Sequence, residues 1–263
     1  MPHVPLFVSE KFKGKSKNGL YGDVIMEIDW SVGEILHTLR EQNLDKNTLV
    51  IFASDNGPWL SYGKHAGSAL PLREGKLTSF EGGVRVPCIV WWPSVLPAGK
   101  TQTEPAMTID LLPTIASLTG GQLPEWEIDG LNIWPLMQVI EGAKNPHEAY
   151  YIYLNKNELQ AVIADNWKLY LPHSYRRISK GQPIRNDGIP NEYEMVRLDK
   201  PALYELSSDP SETINLYIDR PDIVEKMMHL VALARADLGD SSTNTPSKNV
   251  RNPGMITSRQ TGL

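Results

Sequence analysis

The sequence of 263 residues contains a single cysteine, Cys88, and this scarcity excludes two kinds of structure. One thiol cannot form an internal disulfide framework, and it cannot build a zinc site from several cysteines. Hydrophobic residues make up 41% of the chain but never form a run of the roughly 18 residues that a transmembrane helix needs. The first six residues lack the basic start and apolar core of a secretion signal, so the sequence leaves the compartment unknown.

Positive charge is also scarce, because 26 Lys and Arg stand against 31 Asp and Glu. The net charge of -5 and the lack of a basic run argue against a nucleic-acid-binding protein. Internal repeats are absent as well. The ordinary composition and the length favour one large globular domain or two smaller ones, with enough chain to bury a substantial core.

Residues 1–145 show the succession of helix and strand that is typical of an α/β fold. Apolar residues from Leu20 to Leu39 recur three or four positions apart and predict an amphipathic helix. A short turn then leads into a predicted buried strand at Thr48–Ala53, and a second apolar strand is predicted at Val84–Trp92. This order of elements favours a parallel or mixed sheet that is flanked by helices.

Residues 146–239 favour a smaller α+β subdomain with an antiparallel sheet. Little chain separates three predicted strands, which suggests a meander: Ala149–Leu154, Leu159–Ile163 and Trp167–Leu171. Tyr175–Lys200 is polar and shows little periodicity, so we predict no regular element there. A strand at Ala202–Leu206 and an amphipathic helix that begins at Pro221 complete the subdomain. Residues 240–263 are rich in Ser, Thr, Asn and Pro, and we expect an irregular tail.

The residues most suggestive of chemistry follow the first predicted strand. Asp55 and Asn56 place two oxygen donors side by side, and Gly57 then lets the backbone turn sharply. Ligands of open α/β sheets bind beyond the carboxyl ends of the strands, and a hard cation such as calcium prefers oxygen ligands. A plain Asp-Asn-Gly turn explains the same residues without any ligand, so both interpretations stay open at this point.

The segment from Pro58 to Gly83 is long, rich in glycine and without predicted regular structure, which is typical of a functional loop. It contains His65 and Lys76. Taken alone, such residues are most often a loop histidine and a solvated lysine. His173, within Leu171-Pro172-His173-Ser174-Tyr175, is either a histidine of a surface turn or part of the rim of a substrate pocket.

Several separated segments together resemble the sulfatase family, of the arylsulfatase and N-acetylgalactosamine-6-sulfatase type. In chain order they are Pro2-His3-Val4-Pro5, Ser54-Asp55-Asn56-Gly57, Gly75-Lys76, Glu81-Gly82-Gly83-Val84-Arg85-Val86-Pro87, Ile109-Asp110-Leu111-Leu112-Pro113-Thr114, Trp167-Lys168-Leu169 and Asp209-Pro210-Ser211-Glu212. The resemblance spans nearly the whole chain. It implies that residues 1–145 are the C-terminal portion of an alkaline-phosphatase-like catalytic domain, whose mixed sheet is flanked by helices.

The resemblance also implies the chemistry. Sulfatases hydrolyse sulfate esters at a calcium ion, using a formylglycine made from the first residue of a Cys/Ser-x-Pro-x-Arg motif. By the resemblance, Asp55 and Asn56 are two of the metal ligands, Lys76 contacts the sulfate, and His3 contacts the sulfate and the leaving-group oxygen. A metal, a lysine and a protonated histidine suit a compact anion, and His3 could donate a proton to the departing alcohol. His65 and His173 are further candidates for substrate contact.

The nucleophile of the family is missing from these residues. Cys88 lies in Val86-Pro87-Cys88-Ile89-Val90, so we exclude it as the formylglycine precursor and expect a small thiol buried in a strand. Two ligands cannot hold calcium tightly, because the ion takes about six to eight oxygens. We therefore expect a C-terminal sulfatase portion that is inactive alone, with its formylglycine and other ligands in a preceding half.

Two alternatives stay open. One is a phosphoester or phosphonate hydrolase of the same superfamily, and the other is a non-catalytic remnant that acts as a binding module. The resemblance implies a sulfate ester as substrate, such as a sulfated sugar or an aryl sulfate, and no nucleic acid or membrane span. Members of the family usually work in the periplasm, in the lysosome or outside the cell.

Overall fold

The computed structural model of the chain describes residues 2–249 and residue 251. Its first part begins with helix α1 (Gly19–Glu41) and continues with an antiparallel pair of strands, β1 (Val50–Ala53) and β2 (Cys88–Trp91). Three shorter helices complete this part: α2 (Glu81–Val84), α3 (Leu111–Thr119) and α4 (Trp134–Met137). The long predicted helix and both predicted strands are confirmed, but the second strand begins at Cys88 instead of Val84, and β1 is exposed at Phe52 and Ala53 instead of buried.

The pairing of β1 with β2 differs from the expected parallel arrangement. Val50 lies opposite Trp91, and Ala53 lies opposite Cys88. Every strand pair within residues 2–249 is antiparallel, so parallel neighbours of a mixed sheet are not seen in this part of the chain. The order of elements agrees with the predicted fold class. In that class the first part of the chain contains a sheet flanked by helices, and the second part contains an antiparallel sheet with a helix.

The second part is built on a four-stranded antiparallel sheet. Its strands, in the order in which they pair, are β3 (Tyr150–Leu154), β4 (Glu158–Ala164), β5 (Trp167–Tyr170) and β8 (Ala202–Glu205). Helix α5 (Pro221–Leu238) packs on one face of this sheet. The predicted meander and the predicted last helix are confirmed. Pro221 suits the first helical position because the backbone N–H that proline lacks would have no partner in the helix.

A hairpin lies where the sequence predicted no regular element. Strands β6 (His173–Ile178) and β7 (Tyr193–Leu198) pair antiparallel, with Tyr175 opposite Val196. These two side chains face the core, whereas Arg176 and Met195 of the next pair are exposed. The hairpin buries only one face and does so with few apolar residues, so its sequence shows little alternation. The prediction for Tyr175–Lys200 is therefore wrong.

The four-stranded sheet buries both of its faces. One face packs against α5 through a cluster that includes Leu159, Leu169, Leu203, Met227, Leu230 and Val231. The other face receives Phe80, which is 0% exposed and comes from the loop just before α2. Phe80 stacks at 4.9 Å from the ring of Tyr170 and 4.8 Å from that of Tyr175. This one side chain therefore anchors the first part of the chain on the sheet of the second.

The first part has little core of its own. Helix α1 buries only Gly22, Asp23 and Val24, while four of its large apolar side chains are exposed, namely Ile25, Met26, Trp30 and Ile35. Cys88 is exposed on β2, so the prediction of a buried thiol is wrong. Phe52 of β1 and Ile89 of β2, which lie opposite each other, are exposed as well. Within the same residues no helix is long and apolar enough to cross a membrane.

The beginning of the predicted irregular tail is closely packed. Asp240 is buried and accepts hydrogen bonds from the backbone N–H of Ser242 and from Arg235, at 2.9 and 2.8 Å. Arg251 forms an ion pair of 2.8 Å with Asp129. The rest of the predicted tail, residue 250 and residues 252–263, lies outside the described residues.

Candidate functional site

The turn that carries Asp55 and Asn56 follows β1 directly and is held by backbone contacts. The N–H of Gly57 donates to the carbonyl of Gly83 at 3.0 Å. A Cβ atom on Gly57 would lie 1.8 Å from the carbonyl oxygen of Gly82, so only glycine permits this close approach. The Asp-Asn-Gly turn therefore rests against the two glycines of α2, which belong to one of the segments by which the sequence resembles sulfatases.

Lys76 is attached to the same turn. Its backbone N–H donates to the carbonyl of Pro58 at 2.9 Å, and a Cβ atom on Gly75 would lie 2.5 Å from that carbonyl oxygen. The Nζ atom of Lys76 lies 5.2 Å from the centre of the Trp59 ring, within range of a cation–π contact. The backbone contact fixes Lys76 beside the residues that follow Asn56.

His3 contacts the same indole from another side. Its ring centre lies 5.7 Å from that of Trp59, and its Nδ1 lies 2.8 Å from the carbonyl oxygen of Val4. Nδ1 therefore carries a proton and donates it to this carbonyl, which leaves Nε2 facing away from the backbone. Trp59 thus gathers His3 and Lys76 next to the Asp55–Asn56 turn. Trp59 belongs to none of the segments identified from the sequence. Its position two residues after Gly57, in a predicted functional loop, was the feature that could have indicated its role.

The side chains of Asp55 and Asn56 are available to a ligand. Asp55 is exposed and Asn56 is partly exposed, and within residues 2–249 and 251 neither side chain forms a hydrogen bond or an ion pair. Their carboxylate and carboxamide oxygens are of the type that calcium binds. In the same residues there is no group of three or more His, Cys, Asp or Glu that could hold a metal ion. The donor set therefore fits calcium as a partial set of ligands.

His65 ends a short helix, Leu60–His65, on which the loop of the β6–β7 hairpin is seated. The N–H of Lys64 donates to the carbonyl of Arg185 at 2.9 Å, and the N–H of Asn191 donates to the carbonyl of Ser61 at 2.7 Å. A Cβ atom on Gly188 would lie 3.5 Å from the Nδ1 atom of His65. Because this helix begins directly after Trp59, the hairpin is brought to the edge of the site.

His173 lies in the interior of the protein. It is 1% exposed, and its ring centre lies 6.1 Å from that of Phe80. Its Nδ1 is 2.7 Å from the carbonyl oxygen of Leu171, and its Nε2 is 3.4 Å from the Oγ atom of Ser79. Burial lowers the pKa of the imidazole. The structure thus places His173 beneath the loop that carries Lys76, away from the Trp59 side chain that His3 and Lys76 share.

A buried ionic network links this loop to the four-stranded sheet. Lys168 is 0% exposed, and its Nζ lies 2.7 Å from Glu81 and 3.6 Å from Glu212. Glu212 accepts the backbone N–H of Glu81 at 2.9 Å, and it also accepts the hydroxyl of Tyr170. Burial raises the pKa of the Glu212 carboxyl, while the nearby Lys168 works in the opposite direction. Three segments that matched sulfatases separately therefore meet in one cluster.

Arg73 holds the start of the same loop. Its guanidinium lies 4.0 Å from the centre of the Phe80 ring. It donates to the hydroxyl groups of Tyr204 and Tyr175, at 3.3 and 3.5 Å, and to the carbonyl of Glu212 at 3.4 Å. The loop from Arg73 to Glu81, with Lys76 in its middle, is therefore clamped to the second part of the chain at both ends.

A second polar cluster surrounds Asp110, which is 0% exposed. Asp110 lies at the start of α3, but its side chain forms no cap on that helix. It accepts instead from His147 at 2.5 Å, from the hydroxyl of Tyr150 at 2.9 Å and from the backbone N–H groups of Met107 and Leu131. A cleft of about 240 Å³ lies beside it. Four donors occupy the carboxylate fully, so the cluster is a structural brace.

The chain is similar to known sulfatases. The family model described as Sulfatase matches residues 1–121. Arylsulfatase A of Homo sapiens is 33% identical in an alignment of 255 positions that covers 95% of this chain and 50% of that protein. N-acetylgalactosamine-6-sulfatase of Sus scrofa is 32% identical in an alignment of 263 positions that covers 97% of this chain and 50% of that protein. The chain spans about half the length of the curated relatives that it matches.

Solved structures show the same fold. A Bacteroides thetaiotaomicron sulfatase, described under the metabolism of multiple glycosaminoglycans, superposes with a TM-score of 0.71 at 29% identity, covering 89% of this chain and 48% of that one. The structure of Ps i-CgsB in complex with k-i-k-neocarrahexaose superposes with a TM-score of 0.68 at 28% identity, covering 88% and 47%. The alkaline-phosphatase-like fold class is therefore confirmed. The ordered motifs, the family model and these relatives together show that the chain belongs to the sulfatase family.

Proposed function

We propose that this chain supplies one side of the calcium and sulfate site of a sulfuric ester hydrolase of the arylsulfatase type. One observation supports the proposal above all others, which is that His3 and Lys76 both contact the ring of Trp59. The backbone of Lys76 is also bonded to Pro58, two residues after Asn56. An ammonium group, an imidazole and two oxygen donors are thus grouped around one turn, which suits a metal ion and an anion together.

Asp55 and Asn56 would hold the calcium ion through a carboxylate and a carboxamide oxygen. The ion, when bound, supplies positive charge that neutralises the sulfate group and polarises its oxygens. The availability of both side chains among the described residues supports this role. Because calcium takes about six to eight oxygens, the other ligands and the formylglycine nucleophile would come from a preceding half of a longer protein. The chain alone would then be inactive.

Lys76 and His3 would act on the sulfate ester itself. Lys76 would serve as a fixed positive charge beside the sulfate anion. His3 donates its Nδ1 proton to the carbonyl of Val4, so a protonated Nε2 is the atom that would give a proton to the departing alcohol oxygen. We assign no substrate contact to His173, because it is buried beneath the loop.

The proposed substrate is a sulfate ester of an aryl alcohol or of a sugar. Two relatives support the sugar: N-acetylgalactosamine-6-sulfatase by its name, and Ps i-CgsB by its complex with k-i-k-neocarrahexaose. His65 would lie at the edge of the region that receives the alcohol part, because it faces Gly188 of the hairpin loop.

The test is hydrolysis of para-nitrophenyl sulfate by the longer protein in the presence of calcium. We expect Asp55→Ala and Lys76→Ala each to lower kcat/KM at least about a hundredfold, as loss of one electrostatic contact in a transition state does. Lys46→Ala is the matched control, since Lys46 is an exposed lysine on the turn before β1. Turnover like that of the wild type in either site variant would refute the assignment.

The two alternatives predict different results. A phosphoester or phosphonate hydrolase would turn over para-nitrophenyl phosphate in preference to the sulfate, and the coding DNA upstream of Met1 would specify a Thr or Ser nucleophile outside a Cys/Ser-x-Pro-x-Arg motif. A non-catalytic remnant would hydrolyse neither ester, and its upstream DNA would contain no such motif. A Cys/Ser-x-Pro-x-Arg motif together with calcium-dependent sulfate release supports the sulfatase.

A further inference from the structure

We propose that the β6–β7 hairpin forms a second anion subsite, in which Arg176 binds a further negative group of the substrate beside the sulfate that Lys76 contacts. The inference rests on the proposed function and narrows its substrate class. The substrate would be a sulfated saccharide with an additional sulfate or carboxylate group close to the ester that is cleaved.

A shallow cleft connects Lys76 to the hairpin. Its lining includes Leu60, Glu74 and Lys76 from the first part of the chain and Arg176, Ile178 and Tyr193 from the hairpin. Its volume of about 10 Å³ is enough for about one water molecule. A saccharide would therefore lie across the mouth of the cleft, where it would contact both walls at once. Arg176 and Lys76 therefore line the same cleft.

The face of the hairpin that lines the cleft is suited to a charged sugar. Arg176 lies opposite Met195 and Ile178 lies opposite Tyr193, and directly opposite residues of an antiparallel pair share one face. Arg176 and Met195 on this face are exposed. A guanidinium group binds sulfate or carboxylate through two parallel hydrogen bonds, and an aromatic ring packs against the apolar face of a sugar.

Arg176 has no carboxylate partner among residues 2–249 and 251, in contrast to the other arginines of the hairpin. Their ion pairs are Arg177 with Glu194 at 2.7 Å, Arg185 with Asp187 at 2.7 Å and Arg197 with Asp199 at 3.3 Å. The carboxylate in the cleft is Glu74. Burial raises its pKa, and the charges that act against this rise are those of Arg73 and Arg177. The charge of Arg176 is therefore left for a ligand.

The hairpin is held in a fixed position relative to Lys76. Its loop is bonded to the Leu60–His65 helix through the backbone of Lys64 and Ser61, as described above. Gly63 has a φ of 56°, and a Cβ atom there would lie 2.4 Å from the carbonyl oxygen of Arg185, so glycine is needed at this contact. The hairpin that carries Arg176 is therefore in place before any ligand binds, which would reduce the entropy cost of binding a second anionic group.

The test compares two disaccharides that differ by one sulfate group. Binding of a monosulfated disaccharide and of its disulfated counterpart is measured by calorimetry on the longer protein, with its nucleophile replaced by alanine so that neither ligand is cleaved, in the presence of calcium at low ionic strength. We expect Arg176→Ala to weaken the disulfated ligand about tenfold and the monosulfated ligand less than about twofold, because one charge-assisted contact is lost only with the former. Arg176→Lys should recover part of the loss, since it keeps the charge but not the paired geometry.

Arg197→Ala is the matched control, because Arg197 is an exposed arginine of the same hairpin that pairs with Asp199 and does not line the cleft. It should leave the affinity for both ligands unchanged. If Arg176→Ala weakens both ligands equally or neither, the subsite is refuted while the sulfate site stands. If the wild type binds neither ligand, or if Lys76→Ala leaves both affinities unchanged, the proposed function itself fails.

Discussion

Replacement of Lys168 by methionine tests the link between the two parts of the chain. The Lys168 ammonium group is fully buried, 2.7 Å from Glu81 and 3.6 Å from Glu212. Methionine fills a similar volume without a charge. The change would leave two carboxylates that are 4% and 2% exposed without their buried counter-charge.

The size of the effect follows from what each carboxylate keeps. Removal of one partner from a buried ion pair costs about 3–5 kcal/mol of unfolding free energy. Glu81 keeps Arg85 at 3.5 Å, and Glu212 keeps the Tyr170 hydroxyl and the N–H of Glu81. We therefore expect a loss near the lower end, about 3 kcal/mol. Lys168→Met combined with Glu212→Gln should lose less than Lys168→Met alone, because one uncompensated charge is removed.

The assay is urea unfolding of the chain followed by tryptophan fluorescence and circular dichroism. Lys226→Met is the control, because the Lys226–Asp165 pair has side chains that are 52% and 74% exposed, and such pairs contribute about 0–1 kcal/mol.

Burial already raises the pKa of Glu212, and loss of Lys168 should raise it further. When the pKa of a carboxyl group is higher in the folded state than in the unfolded chain, the group stabilises the fold at a pH below its unfolded-state pKa. This stabilisation is lost as the pH rises through the folded-state pKa. The deficit of the variant should therefore shrink toward acid pH. A loss of less than about 1 kcal/mol at neutral pH would refute the reasoning.

Two further predictions concern the turn after β1 and the histidine beneath the loop. Gly57→Ala should lower the unfolding free energy by about 1–3 kcal/mol in urea titrations, because its Cβ would lie 1.8 Å from the carbonyl oxygen of Gly82. Gly33→Ala in α1, where a Cβ meets no atom within 4 Å, should instead be neutral or stabilising, and an equal loss in both would contradict the argument. Burial lowers the pKa of His173, so the unfolded chain binds a proton first as the pH falls below 6.5, and stability declines toward the lower folded-state pKa. His173→Gln should flatten this decline in melting temperature between neutral and mildly acid pH, and an unchanged slope would show that His173 does not titrate in this range.

The long, strongly periodic elements were predictable from the sequence. Helix α1, strand β1, the meander of β3 to β5 and helix α5 lie where their patterns placed them, because side-chain spacing reports directly which face of an element is apolar. The β6–β7 hairpin was missed because only one of its faces is buried, and Tyr175 and Val196 are too few to make a pattern. The exposure of Cys88 was missed for a related reason, since a strand pattern does not tell whether anything packs on it.

For the candidate site, too, the sequence indicated some of the residues, and only the tertiary structure showed how they meet. The sequence offered Asp55 and Asn56 as oxygen donors, and its resemblance to sulfatases added Lys76 and His3 as candidates, because these residues lie in short ordered motifs. Only the tertiary structure showed that His3 and Lys76 share Trp59, and that Arg176 of the hairpin faces the same cleft as Lys76. Lys168 and Glu81 are 87 positions apart in the sequence. They form their buried pair where the loop that carries Phe80 packs on the four-stranded sheet. A local pattern determines which side chains can do chemistry, whereas packing between distant segments determines which of them meet.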